Sequence, residues 1–260
     1  MVIKTDLVPR LTPEEEELAA KREELARLEA QLAEQELLLA SLKAELAAFE
    51  GLYLRRVGVL YAELDEWNAR LAELRAEQAG TPEAKAEAAE ARTQAEEAYS
   101  AAHGEAAQVQ PFTPSPEMKK LYREAAKRVH PDTATDEKDR ARRERLMKEV
   151  NAAYAAGNED ALRRILAGLD TSPDAVKGSG IGADLIRVLR QLKQIRDRIA
   201  TIEREIASLS ETELAQLKAK ADLATAEGQD LLEGIASSIK VRVILVKHRV
   251  EEKSTSGAGR

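Results

Sequence analysis

Apolar residues recur every seven positions through the first part of the chain, from Leu18 to Leu74. The series comprises Leu18, Leu25, Leu32, Leu39, Leu46, Tyr53, Leu60, Trp67 and Leu74. Its apolar partners lie three residues further on in the first half (Leu28, Leu42 and Phe49) and four residues further on in the second half (Val57, Leu64 and Leu71). The centre of the apolar stripe therefore shifts near Gly51 and Gly58. A seven-residue repeat of this length predicts a left-handed coiled coil. We predict an N-terminal coiled-coil arm over residues 13–80, bent or loosened near the two glycines.

A second apolar series, with three- and four-residue spacing, follows in the last third of the chain. It comprises Leu185, Val188, Leu192, Ile195, Ile199, Ile202, Ile206 and Leu209. The series predicts a C-terminal coiled-coil arm over 183–250, with a helix restart at Ser210 to Glu213 and a disordered tail over 251–260. Residues 232–250 fit both a helix and a strand, and the continuing three-four spacing favours the helix.

The two arms are expected to pair antiparallel, as a hairpin within one chain. Ser210 lies about as far beyond the start of the second arm as Gly51 and Gly58 lie before the end of the first. In an antiparallel pair these weak points would face each other. A homodimer through the arms would produce the same alignment, so both arrangements remain open.

Helix starts are marked at four junctions by Ser or Thr, then Pro, then an acidic residue. These are Thr12-Pro13-Glu14, Thr81-Pro82-Glu83, Ser115-Pro116-Glu117 and Ser172-Pro173-Asp174. The hydroxyl accepts from a free N–H group of the first turn, proline loses no hydrogen bond there, and the acid meets the positive end of the helix dipole. We predict that a helix begins at each junction.

Between the arms we predict an alanine- and glutamate-rich helix over 81–108, a small helical unit over 109–169 and a flexible linker over 170–182. The first helix of the unit spans residues 116–129. Its apolar face comprises Met118, Leu121, Tyr122, Ala125, Ala126 and Val129. Its outward face is basic, with a stripe of residues four apart and two flanking cations: Lys119, Arg123 and Lys127, beside Lys120 and Arg128.

A proline ends this basic helix. Pro131 disfavours helical geometry at the residue before it. A second helix spans about 136–157 and a short third one about 158–168. The buried face of the second helix comprises Leu146, Met147, Val150, Ala153 and Tyr154. Because the connection is short, the first two helices must be antiparallel, which predicts that His130, Pro131 and Asp132 lie exposed at the tip of a helical hairpin.

This unit resembles a J domain, the module through which DnaJ-type co-chaperones act on DnaK-type ATP-driven chaperones. The segment KKLYREAAKRVHPD matches the second helix of that family with its His-Pro-Asp motif, and RLMKEVNAAYAAGN matches the third helix. Met147, Val150 and Tyr154 fall on the family's core positions. The similarity covers about a fifth of the chain. The tripeptide alone is unspecific, but the basic helix before it and the correctly phased helix after it make the resemblance strong.

The resemblance implies both a function and a binding site. The basic face would dock on an acidic surface of the chaperone's ATPase domain, and the tripeptide would contact the ATPase core and interdomain linker and trigger ATP hydrolysis. The chaperone-binding residues implied are His130, Pro131, Asp132, Lys119, Lys120, Arg123, Lys127 and Arg128. The coiled-coil arms would then select an unknown client or scaffold protein.

The sequence departs from the family in two respects. The family's first helix is not visible, and residues 99–112, with Tyr99 and Phe112, are a poor substitute for it. The Gly/Phe-rich linker and the Cys-rich zinc modules of full DnaJ proteins are also missing. These departures motivate an alternative: a structural coiled-coil scaffold whose degenerate J-like hairpin does not stimulate a chaperone.

Composition narrows the classes of fold and chemistry that this chain can have. The chain is 33% charged and 3% aromatic and has no cysteine, which is typical of long helices and excludes disulfides and Cys-ligated metals. We therefore expect an all-α fold. Because His130 has no His or Cys neighbour, we expect no enzyme activity, no catalytic residue, no metal and no cofactor.

Charge and apolar runs bear on partners and location. The net charge of −7 disfavours nucleic-acid binding, and the arginine-rich run over 140–145 alternates with acids, as a solvated face does. Nucleic-acid binding through that run is the weaker alternative. No apolar run reaches the length of a signal peptide or a membrane span, so we expect a cytoplasmic protein with no membrane partner.

Overall fold

The computed structural model of the chain describes residues 12–134, 136–169 and 180–257. Across these residues all regular structure is helical and no strand occurs, so the predicted all-α class is confirmed. Most of the predicted flexible linker, residues 170–179, lies outside the described residues. The predicted helix start at Ser172 lies there too.

The α-helices follow the predicted boundaries closely. They are α1 (Pro13–Tyr53), α2 (Val59–Ala79), α3 (Pro82–His103), α4 (Pro116–Val129), α5 (Glu137–Ala155), α6 (Glu159–Leu169), α7 (Ile181–Ser210), α8 (Glu213–Ala226) and α9 (Leu231–Gly257). A π-helical stretch over Leu54–Gly58 joins α1 to α2, and short 3-10 turns occupy Glu105–Gln108 and Pro131–Thr133.

Side-chain caps explain where the helices begin. Thr12 and Glu15 form a reciprocal capping box, in which each side chain accepts from the other's backbone N–H, at 2.8 and 3.3 Å. Thr81 accepts from the N–H of Ala84, and Ser115 from that of Met118. The restart predicted at Ser210 to Glu213 is also present, and its cap is Thr212, which accepts from Ala215.

By its internal contacts, the chain divides into two compact units, each assembled from distant parts of the sequence. Unit 1 contains residues 1–42 and 113–209, and unit 2 contains residues 43–112 and 210–260. Neither unit corresponds to one linear stretch of the predicted arms.

In unit 1, α1 and α7 pack side by side through the predicted apolar stripes. The buried contacts form two clusters: Leu32 and Leu39 with Ile195, Ile199 and Ile202, and Leu18 with Val188 and Leu192. Two ion pairs fix the direction. Arg22 meets Asp184 at 3.1 Å, and Glu36 meets Arg198 at 2.7 Å. Because both residue numbers rise together, α1 and α7 run parallel.

The antiparallel pairing predicted for the arms is therefore wrong. Unit 2 repeats the parallel direction, with Arg56 bonded to Asp230 and Glu63 to Lys247, both at 2.7 Å. A seven-residue repeat specifies which face of a helix is buried but not the direction of its partner. Only a short connection forces antiparallel packing, and here a long segment separates the two arms in sequence.

In unit 2, α2 and α3 form a helical hairpin. Gly80 ends α2 with a left-handed backbone, φ 69°, a conformation that glycine adopts at no steric cost. Buried alanines then face each other across the hairpin: Ala62, Ala69 and Ala76 on α2, and Ala88, Ala95 and Ala102 on α3. Small side chains let the two helices approach closely, so the alanine-rich segment is a packed helix rather than a frayed one.

The glycines of the first arm mark a loosened turn, as predicted. The π-helical stretch over Leu54–Gly58 lies between Gly51 and α2. At Gly51, a Cβ atom would stand 2.8 Å from the carbonyl oxygens of Ala106 and Val109. The guanidinium of Arg55 donates to the carbonyls of Ala107 and Val109 at 2.6 and 2.7 Å. Residues 105–109 therefore lie directly on this part of the helix.

The ambiguous segment at 232–250 is a helix, as favoured, because it lies within α9. Disorder was predicted over 251–260, yet α9 continues to Gly257, so residues 251–257 are helical and the prediction fails there. In this extension the Nζ of Lys253 donates to Gln78 of α2 at 3.1 Å. Residues 258–260 lie outside the described part of the chain.

None of the helices in the described part of the chain has the length and apolar character needed to cross a bilayer.

Candidate functional site

Within unit 1, helices α4, α5 and α6 pack together around two buried tyrosines. The rings of Tyr122 and Tyr154 lie 4.6 Å apart, and neither side chain is exposed to solvent. The Tyr122 hydroxyl donates to Asn151 at 2.7 Å. Arg143 of α5 reaches the end of α4, where it donates to the Arg128 carbonyl at 3.3 Å. These two contacts make α4 and α5 antiparallel, as predicted.

The loop between α4 and α5 is a tight turn. His130 has extended backbone angles, φ −64° and ψ 127°, as a residue before proline prefers. The backbone N–H of Asp132 donates to His130 Nδ1 at 3.1 Å, and the Thr133 hydroxyl donates to the His130 carbonyl at 2.8 Å. Arg143 then donates to the Thr133 hydroxyl at 2.6 Å, which fastens the turn to α5.

His130 is not exposed at the tip, contrary to the prediction. Only 2% of its surface is accessible. Its Nε2 atom lies 3.0 Å from Oε1 of Glu36 on α1, and Arg198 of α7 donates twice to the same oxygen, at 2.9 and 2.7 Å. The prediction failed because helices α1 and α7, which are distant in sequence, cover the loop.

The hydrogen bonds also define which nitrogen of the His130 ring accepts and which donates. Since Nδ1 accepts from the Asp132 N–H, it carries no proton in this arrangement. Nε2 therefore carries the proton and donates it to Glu36. Both ring nitrogens are thus occupied by contacts within the chain.

Glu36 is a buried carboxylate held in its charged form. Burial raises the pKa of this carboxyl, but the hydrogen bond from His130 and the positive charge and hydrogen bonds of Arg198 outweigh burial and hold the pKa below its usual range. Glu36 is therefore ionised at neutral pH. A buried charge of this kind is tolerated because it is paired and hydrogen-bonded.

The other two loop residues are half-buried. Pro131 and Asp132 both lie between full exposure and burial. The Asp132 carboxylate stands 3.7 Å from the guanidinium of Arg140 on α5. The Asp132 carboxylate thus faces an arginine of its own chain.

The predicted basic stripe is only partly outward. Lys119, Lys120, Lys127 and Arg128 are exposed, as expected. Arg123 is half-buried and pairs with Glu34 of α1 at 3.4 Å, so the predicted outward position is only partly correct for this residue. The cause is again α1, which runs along the side of α4.

A second acidic residue of α1 faces the same helix. Burial raises the pKa of the Glu29 carboxyl, while the positive charges of Lys127 and Arg143 act in the opposite direction. Helix α1 thus places three carboxylates beside α4 and its loop, those of Glu29, Glu34 and Glu36.

Helix α1 also braces the core of the unit. The Ser41 and Tyr154 hydroxyls are 2.8 Å apart, and the Tyr122 hydroxyl lies 3.3 Å from the Glu36 carbonyl. Tyr99, the suggested substitute brace, is instead 61% exposed. Part of the N-terminal arm, rather than residues near Tyr99, therefore packs against this tyrosine core.

Glu36 and Arg198 are the residues that sequence reasoning missed. One signal was present: the apolar run Leu37, Leu38 and Leu39 is wider than a single stripe. Leu39 packs toward α7, whereas Leu37 is buried without belonging to that cluster. A second buried face of α1 could have been suspected from this run, but its partner could not.

An open groove of about 470 Å³ lies beside the loop in unit 1. Its walls include Asp132 and Arg140 from the loop side and Gln194, Asp197 and Arg198 from α7. The described residues contain no cluster of three or more His, Cys, Asp or Glu side chains suited to a metal ion. The groove is therefore a polar cleft bordered by the loop.

We compared the chain with protein-family models, with curated proteins and with solved structures, and none of them matches it.

Proposed function

We propose that this chain is a J-domain co-chaperone that stimulates ATP hydrolysis by a DnaK-type chaperone. The observation that carries the proposal is the loop of His130, Pro131 and Asp132. It is held as a tight turn between a basic helix and an antiparallel helix, over the Tyr122–Tyr154 core. This arrangement agrees with what the resemblance implies for the second and third helices of a J domain.

The proposed roles follow from the chemistry of each group. Lys119, Lys120 and Lys127 supply exposed positive charge for an acidic surface, which would speed encounter and orient the complex. Pro131 fixes the backbone of the turn. Asp132 offers a carboxylate to an arginine, and His130 offers ring nitrogens to polar groups. The protein would act by binding alone, with no catalytic residue of its own.

The arms would serve as a coiled-coil adaptor in the cytoplasm. In each unit their helices pair in parallel, so the adaptor does not need a second copy of the chain to bury these apolar stripes. The arms would position the chaperone on a client or scaffold protein.

One observation favours a second candidate function. His130 is buried against Glu36, and a buried histidine cannot touch a chaperone without rearrangement. In the alternative, the hairpin is a degenerate J-like module within a structural scaffold, and the His130–Glu36 contact serves stability only.

The test is single-turnover ATP hydrolysis by a purified DnaK-type chaperone with increasing amounts of the protein. We expect hydrolysis to accelerate and to return to the rate of the chaperone alone when His130→Gln is used. The matched control is His248→Gln, because His248 is exposed and lies in unit 2. It should accelerate hydrolysis as the unmodified protein does.

Two results would decide against the proposal. Equal acceleration by the unmodified protein and by His130→Gln would show that the loop is not responsible. No acceleration by any version, including Glu36→Ala, in which His130 has lost its buried partner, would favour the scaffold.

A further inference from the structure

The loop and one side of α4, which would meet the chaperone, are contacted by acidic residues of the chain itself, while Lys119, Lys120 and Lys127 stay exposed. Glu36 binds His130, Glu34 binds Arg123, and Glu29 feels the charge of Lys127. All three carboxylates belong to α1. They present to this face the same chemistry that an acidic chaperone surface would present.

We infer that α1 is an internal competitor for the chaperone-binding face, and that the contact of Glu36 with His130 and Arg198 is a latch that keeps this face closed. The inference rests on the proposed function and specifies how the same site is regulated. In the closed state the protein stimulates weakly, and release of the latch exposes His130.

The strength of the latch comes from burial rather than from the number of ion pairs. Glu36 and His130 are buried, so their contact is little screened by water or salt. Glu34 and Arg123 are much more exposed, and such surface pairs contribute little. The Glu36–His130 contact therefore decides whether the face is closed.

Arg198 is the accessible part of the latch. Arg198, Glu36 and His130 all line the groove beside the loop, but the Arg198 side chain is 32% exposed whereas the Glu36 side chain is only 5% exposed. An acidic group that entered the groove could draw Arg198 away from Glu36. The remaining carboxylate would then have lost two of its hydrogen bonds. The chemistry that opens the latch is thus acidic, as is the surface that the basic helix would dock on.

The first experiment measures the latch without any chaperone. Deuterium exchange at the C2 position of histidine reports solvent access, and the chain has three histidines, of which His103 and His248 are exposed internal references. We expect His130 to exchange much more slowly than either reference. Glu36→Ala should accelerate its exchange roughly tenfold or more, the effect of losing a hydrogen bond to a charged group.

The matched control is Glu23→Ala, an exposed glutamate of the same helix. Both substitutions favour the helix, since alanine is the best helix former. Circular dichroism should show that both variants stay helical. The inference is overturned if His130 exchanges as fast as the references in the unmodified protein, or if Glu36→Ala leaves its exchange unchanged.

The second experiment adds the chaperone. The concentration of Glu36→Ala that gives half-maximal acceleration of ATP hydrolysis should be roughly tenfold lower than that of the unmodified protein, and Glu23→Ala should match the latter. Faster exchange at His130 without any acceleration of hydrolysis would leave the latch standing and overturn the proposed function. Full acceleration by the unmodified protein, with no gain from Glu36→Ala, would leave the function standing and overturn the latch.

Discussion

Glu36 shows how one buried charge can hold a loop in place. One of its oxygens accepts from both His130 and Arg198, so the loss of either partner leaves the buried carboxylate with fewer hydrogen bonds. Loss of a partner from a buried polar group costs about 1–3 kcal/mol. Exposed pairs such as Arg123 with Glu34 contribute about 0–1 kcal/mol. The buried contact therefore governs the conformation of the loop.

At the residue scale the sequence could identify His130 but not its surroundings. The tripeptide, the proline turn and the charged neighbours are local features, and local spacing is enough to recognise them. Burial depends on which distant helix covers a residue. Glu36 lies 94 residues before His130 in the chain and Arg198 lies far after it, and no local pattern connects them.

Two glycines of unit 2 lead to opposite predictions for the same substitution. Gly51→Ala would place a Cβ atom 2.8 Å from two backbone oxygens, so we expect it to destabilise unit 2 by about 1–3 kcal/mol. Gly234 lies inside α9, and a Cβ atom added there would meet no atom within 4 Å. Gly234→Ala should therefore stabilise the helix by about 1 kcal/mol. Urea unfolding followed by circular dichroism measures both.

The pair of substitutions provides its own control, because both replace a helical glycine with alanine. Equal effects of the same sign would contradict the close approach of residues 105–109 to the helix at Gly51.

At the scale of elements, the hairpin of α2 and α3 is held by small side chains. Its buried alanines are seven residues apart on each helix, and Ala69 and Ala95 occupy the middle of the two rows. Arg92 of α3 adds ion pairs to Glu66 and Glu73 of α2 at 2.6 and 2.7 Å. The two rows of alanines allow a short distance between the helices, and the ion pairs of Arg92 lie beside these rows.

We expect Ala95→Leu to destabilise this hairpin, because the added carbons have no space between closely packed helices. The cost should be about 1–3 kcal/mol, as for other overpacked sites. Thermal unfolding should show a lower midpoint. The control is Ala89→Leu on the exposed side of the same helix, which should change the midpoint little. Equal midpoints for the two variants would contradict the close packing.

Helix boundaries were predictable, whereas the direction of helix pairs was not. Thr81 and Ser115 cap helices through atoms only three residues away, so their sequence signals are sufficient. The direction of α7 along α1 depends on the length of chain between them, which allows both parallel and antiparallel packing. Beyond residue 250 helix α9 continues to Gly257, and Lys253 there contacts Gln78, which is distant in sequence.

At the scale of the whole molecule, each of the two units draws on both halves of the chain. The apolar stripes predicted which faces of the arms are buried, and the clusters in each unit confirm them. The sequence could not predict that residues of the first arm would brace the central helical unit. That use of α1 arises from a second buried face, which a seven-residue repeat does not describe.

The proposed activity belongs to unit 1, because the loop, the basic helix and the latch residues Glu36 and Arg198 all lie there. The function and the closed state make one joint claim: His130 stimulates a chaperone once it is released from Glu36. A variant with the latch removed tests this claim without the competing effect of burial.

The most direct measurement is single-turnover ATP hydrolysis by a DnaK-type chaperone with Glu36→Ala, compared with the double variant Glu36→Ala/His130→Gln. We predict clear acceleration by the first and the rate of the chaperone alone with the second. Equal rates with the two variants, whether accelerated or not, would contradict the joint claim.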